Sequence, residues 1–99
     1  MSVITALVTD LLDRSKFPDG VRFVRRLDGD VDADLVVVDL SVPGAVDGVR
    51  KLRERGSTAR VVAYGRHTET DVLADARRAG CDRVLARSAF FADVRAALG

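Results

Sequence analysis

The run Leu35-Val36-Val37-Val38 is apolar without a break, and Asp39-Leu40 and then Pro43-Gly44 follow it. An uninterrupted β-branched run predicts a strand buried on both faces of a parallel sheet, here Leu35 to Leu40. Val3 to Val8 is apolar except at Thr5 and predicts a first strand ending at Thr9-Asp10. Leu11 to Phe17 has room for only about two helical turns before the Pro18-Asp19-Gly20 turn. Val21, Phe23 and Leu27 are interleaved with Arg22 and Arg26, so Val21 to Leu27 reads as a half-exposed edge strand. Asp28 to Ala33 is an acidic loop containing a glycine.

Beyond the central strand the pattern changes to helical spacing. Val46, Val49 and Leu52 share one face with Arg50, Lys51, Arg53 and Glu54 outward, and Gly56 ends the segment. Val61 to Tyr64 predicts a strand. Thr68 with Asp71 three residues later has the pattern of a capping box, and Val72, Leu73, Ala76 and Ala79 form an apolar helix face ending at Gly80. Val84 to Ala86 predicts a short strand. Phe91, Val94 and Leu98 mark a final helix with Ser88 as its candidate cap.

Five strands alternating with helices imply an α/β fold with a doubly wound parallel sheet. The first helix is short, and a helix between the second and third strands is reduced or missing. Parallel neighbours normally need a crossover of a dozen or more residues, whereas the link from Leu27 to Leu35 extends only roughly 20–25 Å. Either this link crosses as coil or the second strand is not parallel. Both leave sheet surface near the first two strands without a covering helix, and exposed apolar surface there predicts a homodimer. Arg22 and Arg26 on the same edge act against self-pairing.

At 99 residues and 47% hydrophobic content the chain is expected to be one folded domain over 1–99, with no room for an appended output domain. Sixteen basic and 15 acidic residues balance to +1, which gives no electrostatic case for a nucleic-acid or membrane partner. The lone Cys81 excludes an internal disulfide and a cysteine-based zinc site; a reduced core thiol is its expected role. No signal segment or membrane-length apolar run is visible, so the cytoplasm is the expected location.

The candidate chemistry gathers where strands end, because ligand sites of open α/β sheets lie at the carboxyl ends of their strands. Asp39 stands there, followed by Val42, Pro43, Gly44, Asp47 and Gly48. Arg60 to Gly65 supplies a fourth strand, and Ala79-Gly80-Cys81 leads into Arg83 to Ser88. This ordered series resembles the receiver domains of bacterial two-component signalling. The likeness runs from about Asp34 to the C-terminus and is loose before it. The resemblance implies a flavodoxin-like sheet of strand order 2-1-3-4-5. It also implies that Asp39 occupies the phospho-acceptor position, Asp10 a position in the acidic pocket, Gly65 the place of a hydroxyl residue, and Arg87 the place of a lysine. Read from the residues alone, Asp39 also fits a turn cap and Asp10 a helix N-cap.

The chain departs from the family pattern at the positions that do chemistry. Mg²⁺ needs oxygen ligands, yet Leu11 follows Asp10 where the second acid belongs, so no metal site is expected beyond weak Mg²⁺ at Asp10 and Asp39. Gly65 has no hydroxyl, Arg87 is a planar fork in place of a lysine, and Val84 replaces a switching aromatic residue. Alternation should send the Tyr64 ring to the opposite face. Arg14, Lys16, Arg66 and His67, near Ser15 and Arg87, form a candidate anion rim whose bland reading is a solvated basic edge.

The expectation is an atypical receiver-like module that is not an enzyme, needs no cofactor and acts by contact with a protein or with itself. Its alternatives are a phosphorylatable receiver using Mg²⁺ at Asp39 and a sensor of small anions or nucleotides. In the favoured form Arg87 pairs with Asp39, and with Asp10 nearby, and locks the site.

Overall fold

The computed structural model describes residues 3–28 and 31–99. Its five strands are β1 (Ile4–Leu7), β2 (Arg22–Val24), β3 (Leu35–Asp39), β4 (Arg60–Gly65) and β5 (Arg83–Ala86). They form one sheet of order β2-β1-β3-β4-β5, and every neighbouring pair is parallel. The helices are α1 (Leu11–Ser15), α2 (Ala45–Glu54), α3 (Thr70–Ala79), α4 (Arg87–Ala92) and α5 (Val94–Leu98). Among the described residues no helix is long and apolar enough to cross a membrane.

Strand alternation divides the core in two. On one face Leu7, Val36, Val38, Val61 and Ala63 meet Val49 and Leu52 of α2 and Ala76 of α3. On the other, Ala6, Val8, Val37, Val62 and Tyr64 meet Phe17, Phe90 and Ala97 beside α1, α4 and α5. Both faces of β3 and β4 are therefore covered, which is why their sequences lack polar alternation. The second face is aromatic: Tyr64 stacks on Phe90 at 4.6 Å, and Phe91 meets Tyr64 edge-on at 5.0 Å.

Among its described residues the link between β2 and β3 holds no helix or strand, and β2 is parallel to β1 in the register Thr5 to Arg22 and Leu7 to Val24. Of the loop expected over Asp28 to Ala33, Gly29 and Asp30 lie outside the described residues. The second strand is shorter than expected, because the chain leaves β1 after Val24 and turns inward at Leu27, which is buried. This overturns the expected bare apolar surface. Val24, Leu27, Val31 and Ala33 of the crossing segment pack on the core themselves, and Arg55 donates to the Leu27 carbonyl at 3.0 Å. Leu27 fits closely against α2, since a Cβ at Gly48 would lie 3.3 Å from its own.

Two expected helix caps move. Residues 66–69 close a backbone turn, Glu69 N donating to Arg66 O at 3.0 Å, so α3 starts beyond Thr68 with Glu69 at its N-cap. Ser88 lies inside α4, which follows β5 directly from Ala86. The expected single final helix breaks at Asp93, whose extended backbone interrupts it and whose carboxylate caps α5 by accepting from Ala96 N at 3.1 Å.

Candidate functional site

The carboxyl ends of β1, β3, β4 and β5 surround a recess lined by Asp10, Asp13, Asp39, Ser41, Tyr64, Gly65, Arg66, Glu69 and Arg87. Asp10, Asp39, Gly65, Arg66 and Arg87 were singled out in the sequence; Asp13, Ser41, Glu69 and the Tyr64 hydroxyl were not.

Asp39 ends β3 and is buried, 4% exposed. One of its carboxylate oxygens accepts from the backbone N and the Oγ of Ser41, at 2.9 and 2.8 Å. This is the local turn chemistry of a strand-end aspartate. Asp10 is the N-cap of α1, and its carboxylate accepts from Asp13 N at 3.0 Å.

That cap fixes the rotation of α1. Leu11 and Leu12 are 76% and 75% exposed, while the Asp13 side chain is 2% exposed. Asp13 lies four residues before the buried Phe17, so the two share the inward side of this segment. Arg14 holds the same turn by donating from Nε to the Val8 carbonyl at 2.6 Å.

Arg87 pairs with Asp13, not with Asp39. It donates from Nη1 to Oδ2 at 2.7 Å and from Nη2 to the other carboxylate oxygen, a two-pronged pair. The physical reason is placement. Arg87 opens α4 immediately after β5, on the side of the sheet that α1 covers, and there its fork meets an inward carboxylate that has no other salt bridge among the described residues. The guanidinium also lies over the Phe91 and Tyr64 rings, at 4.9 and 5.7 Å.

Tyr64 completes the arrangement. Its ring lies on the face opposite Gly65, as alternation predicts, but the ring is long enough for its hydroxyl to donate to Asp13 Oδ2 at 3.3 Å. Hydrogen bonding from Arg87 holds the Asp13 carboxyl below its ordinary value, and the same bond raises Arg87. Burial, with Asp39 and Asp13 nearby, raises the Tyr64 hydroxyl far above its usual range, so it stays protonated and remains a donor.

The basic rim read from the sequence does not assemble. Only Arg66 of its members lines the recess. Arg14 lies over the Phe23 ring, Lys16 lies over the Phe91 ring, and His67 is exposed in the turn after β4. The recess is lined by four carboxylates and two guanidiniums, one of which Asp13 already holds. Its surplus charge is negative.

A divalent cation does not fit these side chains as they stand. Among the described residues no three acids or histidines converge as metal ligands. Asp10 is engaged as a cap, Asp13 by Arg87 and Asp39 by Ser41, and Leu11 points to water. Gly65 is closely packed. A Cβ there would lie 3.2 Å from both Leu40 and Leu73, so two leucines have closed over the space.

No protein-family model and no curated protein matches the chain. Solved structures do match it. The chain has a TM-score of 0.73 to a response regulator receiver protein from Pseudoalteromonas atlantica, at 11% identity, covering 96% of this chain and 95% of that one. A response regulator from Burkholderia pseudomallei, with a phosphorylated aspartic acid, calcium ion and citrate, matches at TM-score 0.70 and 19% identity, over all of this chain and 67% of its own. NtrX from Brucella abortus, in complex with ADP, matches at TM-score 0.75 and 15% identity, over 98% of this chain and 27% of its own. The chain therefore has the receiver fold, with flavodoxin-like strand order.

Proposed function

We propose that this chain is a receiver-like signalling module of the cytoplasm, spanning 1–99 as one domain, that works by protein contact without phosphoryl transfer at Asp39. The observation that carries this reading is the Asp13–Arg87 pair. Phosphoryl transfer needs free cationic and hydrogen-bonding groups aimed at the incoming oxygens. Here the guanidinium that follows β5 is held in two hydrogen bonds by a buried carboxylate. The hydroxyl position is Gly65, with leucines packed against it. A phosphodonor entering the recess meets surplus negative charge. The module is on this reading not an enzyme and needs no cofactor.

The partner we propose is another protein. The homodimer expected from the sequence meets an obstacle, because two copies paired along β2 would set Arg22, Arg25 and Arg26 against the same three residues.

Incubation with acetyl phosphate and Mg²⁺ tests the reading at the site. No label that disappears in Asp39→Asn is expected, and beryllofluoride should leave the amide spectrum of the recess unchanged. Stoichiometric, Asp39-dependent labelling would overturn it and make this a phosphorylatable receiver.

A further inference from the structure

Three arginines gather outside the recess, over β1 and β2. Thr5 and Arg22 are paired in register and so stand side by side on one sheet face, and Val24 lies two residues along on the same face. Arg25 and Arg26 follow at the turn out of β2. With Val31 and Asp28 they line a groove of about 440 Å³, within the size range of small-molecule sites, roughly 300–1,000 Å³.

Two independent features of this groove point to a ligand. The first is charge: among the described lining residues three guanidiniums face one carboxylate. The partners they have are weak. Arg22 reaches the Asp32 carbonyl at 3.4 Å, and Arg26 lies 3.7 Å from Asp28 with both side chains largely in water. The second is Thr5. It is 1% exposed, and its Oγ1 has no hydrogen-bond partner among the described residues. A buried hydroxyl without a partner is unfavourable and calls for an explanation. Elsewhere in β1 the residue type is apolar, and valine would fill the same volume without that penalty.

We propose that this groove is an anion site for a small organic molecule bearing carboxylate or phosphate groups. Its acidic groups sit on Arg22, Arg25 and Arg26, Val24 and Val31 contact its carbon skeleton, and the Thr5 hydroxyl turns to donate to an oxygen that enters beside it. Arginine suits such planar or tetrahedral oxyanions because its donors form a rigid fork. Among the described residues no helix stands between β2 and β3, and the groove lies beside the segment that follows β2. The inference stands apart from the reading of Asp39, since it uses none of the residues of the recess.

Amide-resolved NMR titration of the full chain tests it, with citrate and inorganic phosphate as probes and sodium chloride at matched ionic strength as the control. Saturable shifts at Thr5, Arg22, Val24 and Val31 are expected with citrate or phosphate and not with chloride. The double variant R25E/R26E, altered at exposed positions, should weaken binding at least about tenfold. Thr5→Val should keep the native spectrum, raise thermal stability and weaken citrate. Shifts that never saturate, that chloride reproduces, or that map to Arg66 would overturn the site. So would a Thr5→Val variant that binds as well as the parent. A hexaglutamate peptide separates the sources: tighter binding than citrate at the same amides would replace the small molecule with an acidic protein segment and overturn the ligand class.

Discussion

At the scale of single residues, the decisive contact is a buried carboxylate with one cation. Arg87→Ala strands Asp13, whose side chain is 2% exposed, with only the Tyr64 hydroxyl as donor. The loss should be about 2 kcal/mol at neutral pH, below the 3–5 kcal/mol of fully buried pairs, because the Arg87 side chain is 41% exposed. Asp13→Ala should cost less, since the freed arginine can swing to water. The pH dependence has a definite sign. The folded-state value of Asp13 is depressed below 3.8, so its contribution is present above that pH and lost as pH falls through the lower folded value. Urea unfolding of parent and Arg87→Ala from pH 7 to 2.5 should show their gap closing as pH falls, because the stranded, buried Asp13 carboxyl of the variant takes up its proton at a higher pH than the paired one does. A gap that stays constant across that range would show that the pair does not set stability. Gly65→Ser tests the neighbouring position. Adding a hydroxyl side chain there forces a Cβ between Leu40 and Leu73, and the cost should be about 1–3 kcal/mol, read as a lower urea midpoint. Gly65 is visible in the chain, but the leucines that close over it are not, because they come from two other segments.

At the scale of elements, Arg53 shows how turns are fixed to helices. From the last turn of α2 it donates to the Gly80 carbonyl at 3.1 Å, to the Ser57 and Ala59 carbonyls at 3.0 and 2.6 Å, and to Asp82 at 2.9 Å. Asp82 also accepts from Val61 N at 2.8 Å. One guanidinium thus joins α2, the entry to β4 and the turn from α3 into β5. Arg53→Ala should destabilise by about 2 kcal/mol or more, and Arg53→Lys should recover less than half, because an ammonium cannot span this spread of acceptors. Thermal unfolding of the two variants decides it, and near-parental stability for Arg53→Lys would mean that charge alone matters. In the sequence Arg53 is one more outward charge on an amphipathic helix. Helix α1 misleads in the opposite sense. Its leucines look like the buried face, yet capping by Asp10 and burial of Phe17 turn Asp13 inward.

At the scale of the whole molecule, Leu27, Val31 and Ala33 pack on the core where a helix is missing, and the β2 edge carries arginines. The protein should therefore be a monomer. Light scattering at micromolar concentration and low salt is expected to read 10.7 kDa, and a dimer mass would return self-association to the functional reading.

The sequence by itself determined the doubly wound architecture, because a strand buried on both faces and a helix buried on one leave different periodicities. It marked the strand ends that bear Asp10, Asp39, Gly65 and Arg87, and likeness to receivers supplied their order. The tertiary structure alone decided which charges meet. Asp13 and Arg87 are separated by 74 positions, and their pairing depends on the rotation of a short helix and on the face from which another begins. No local pattern encodes either. The groove over Thr5 has the same origin: its hydroxyl and its arginines lie on strands whose register only the folded sheet sets.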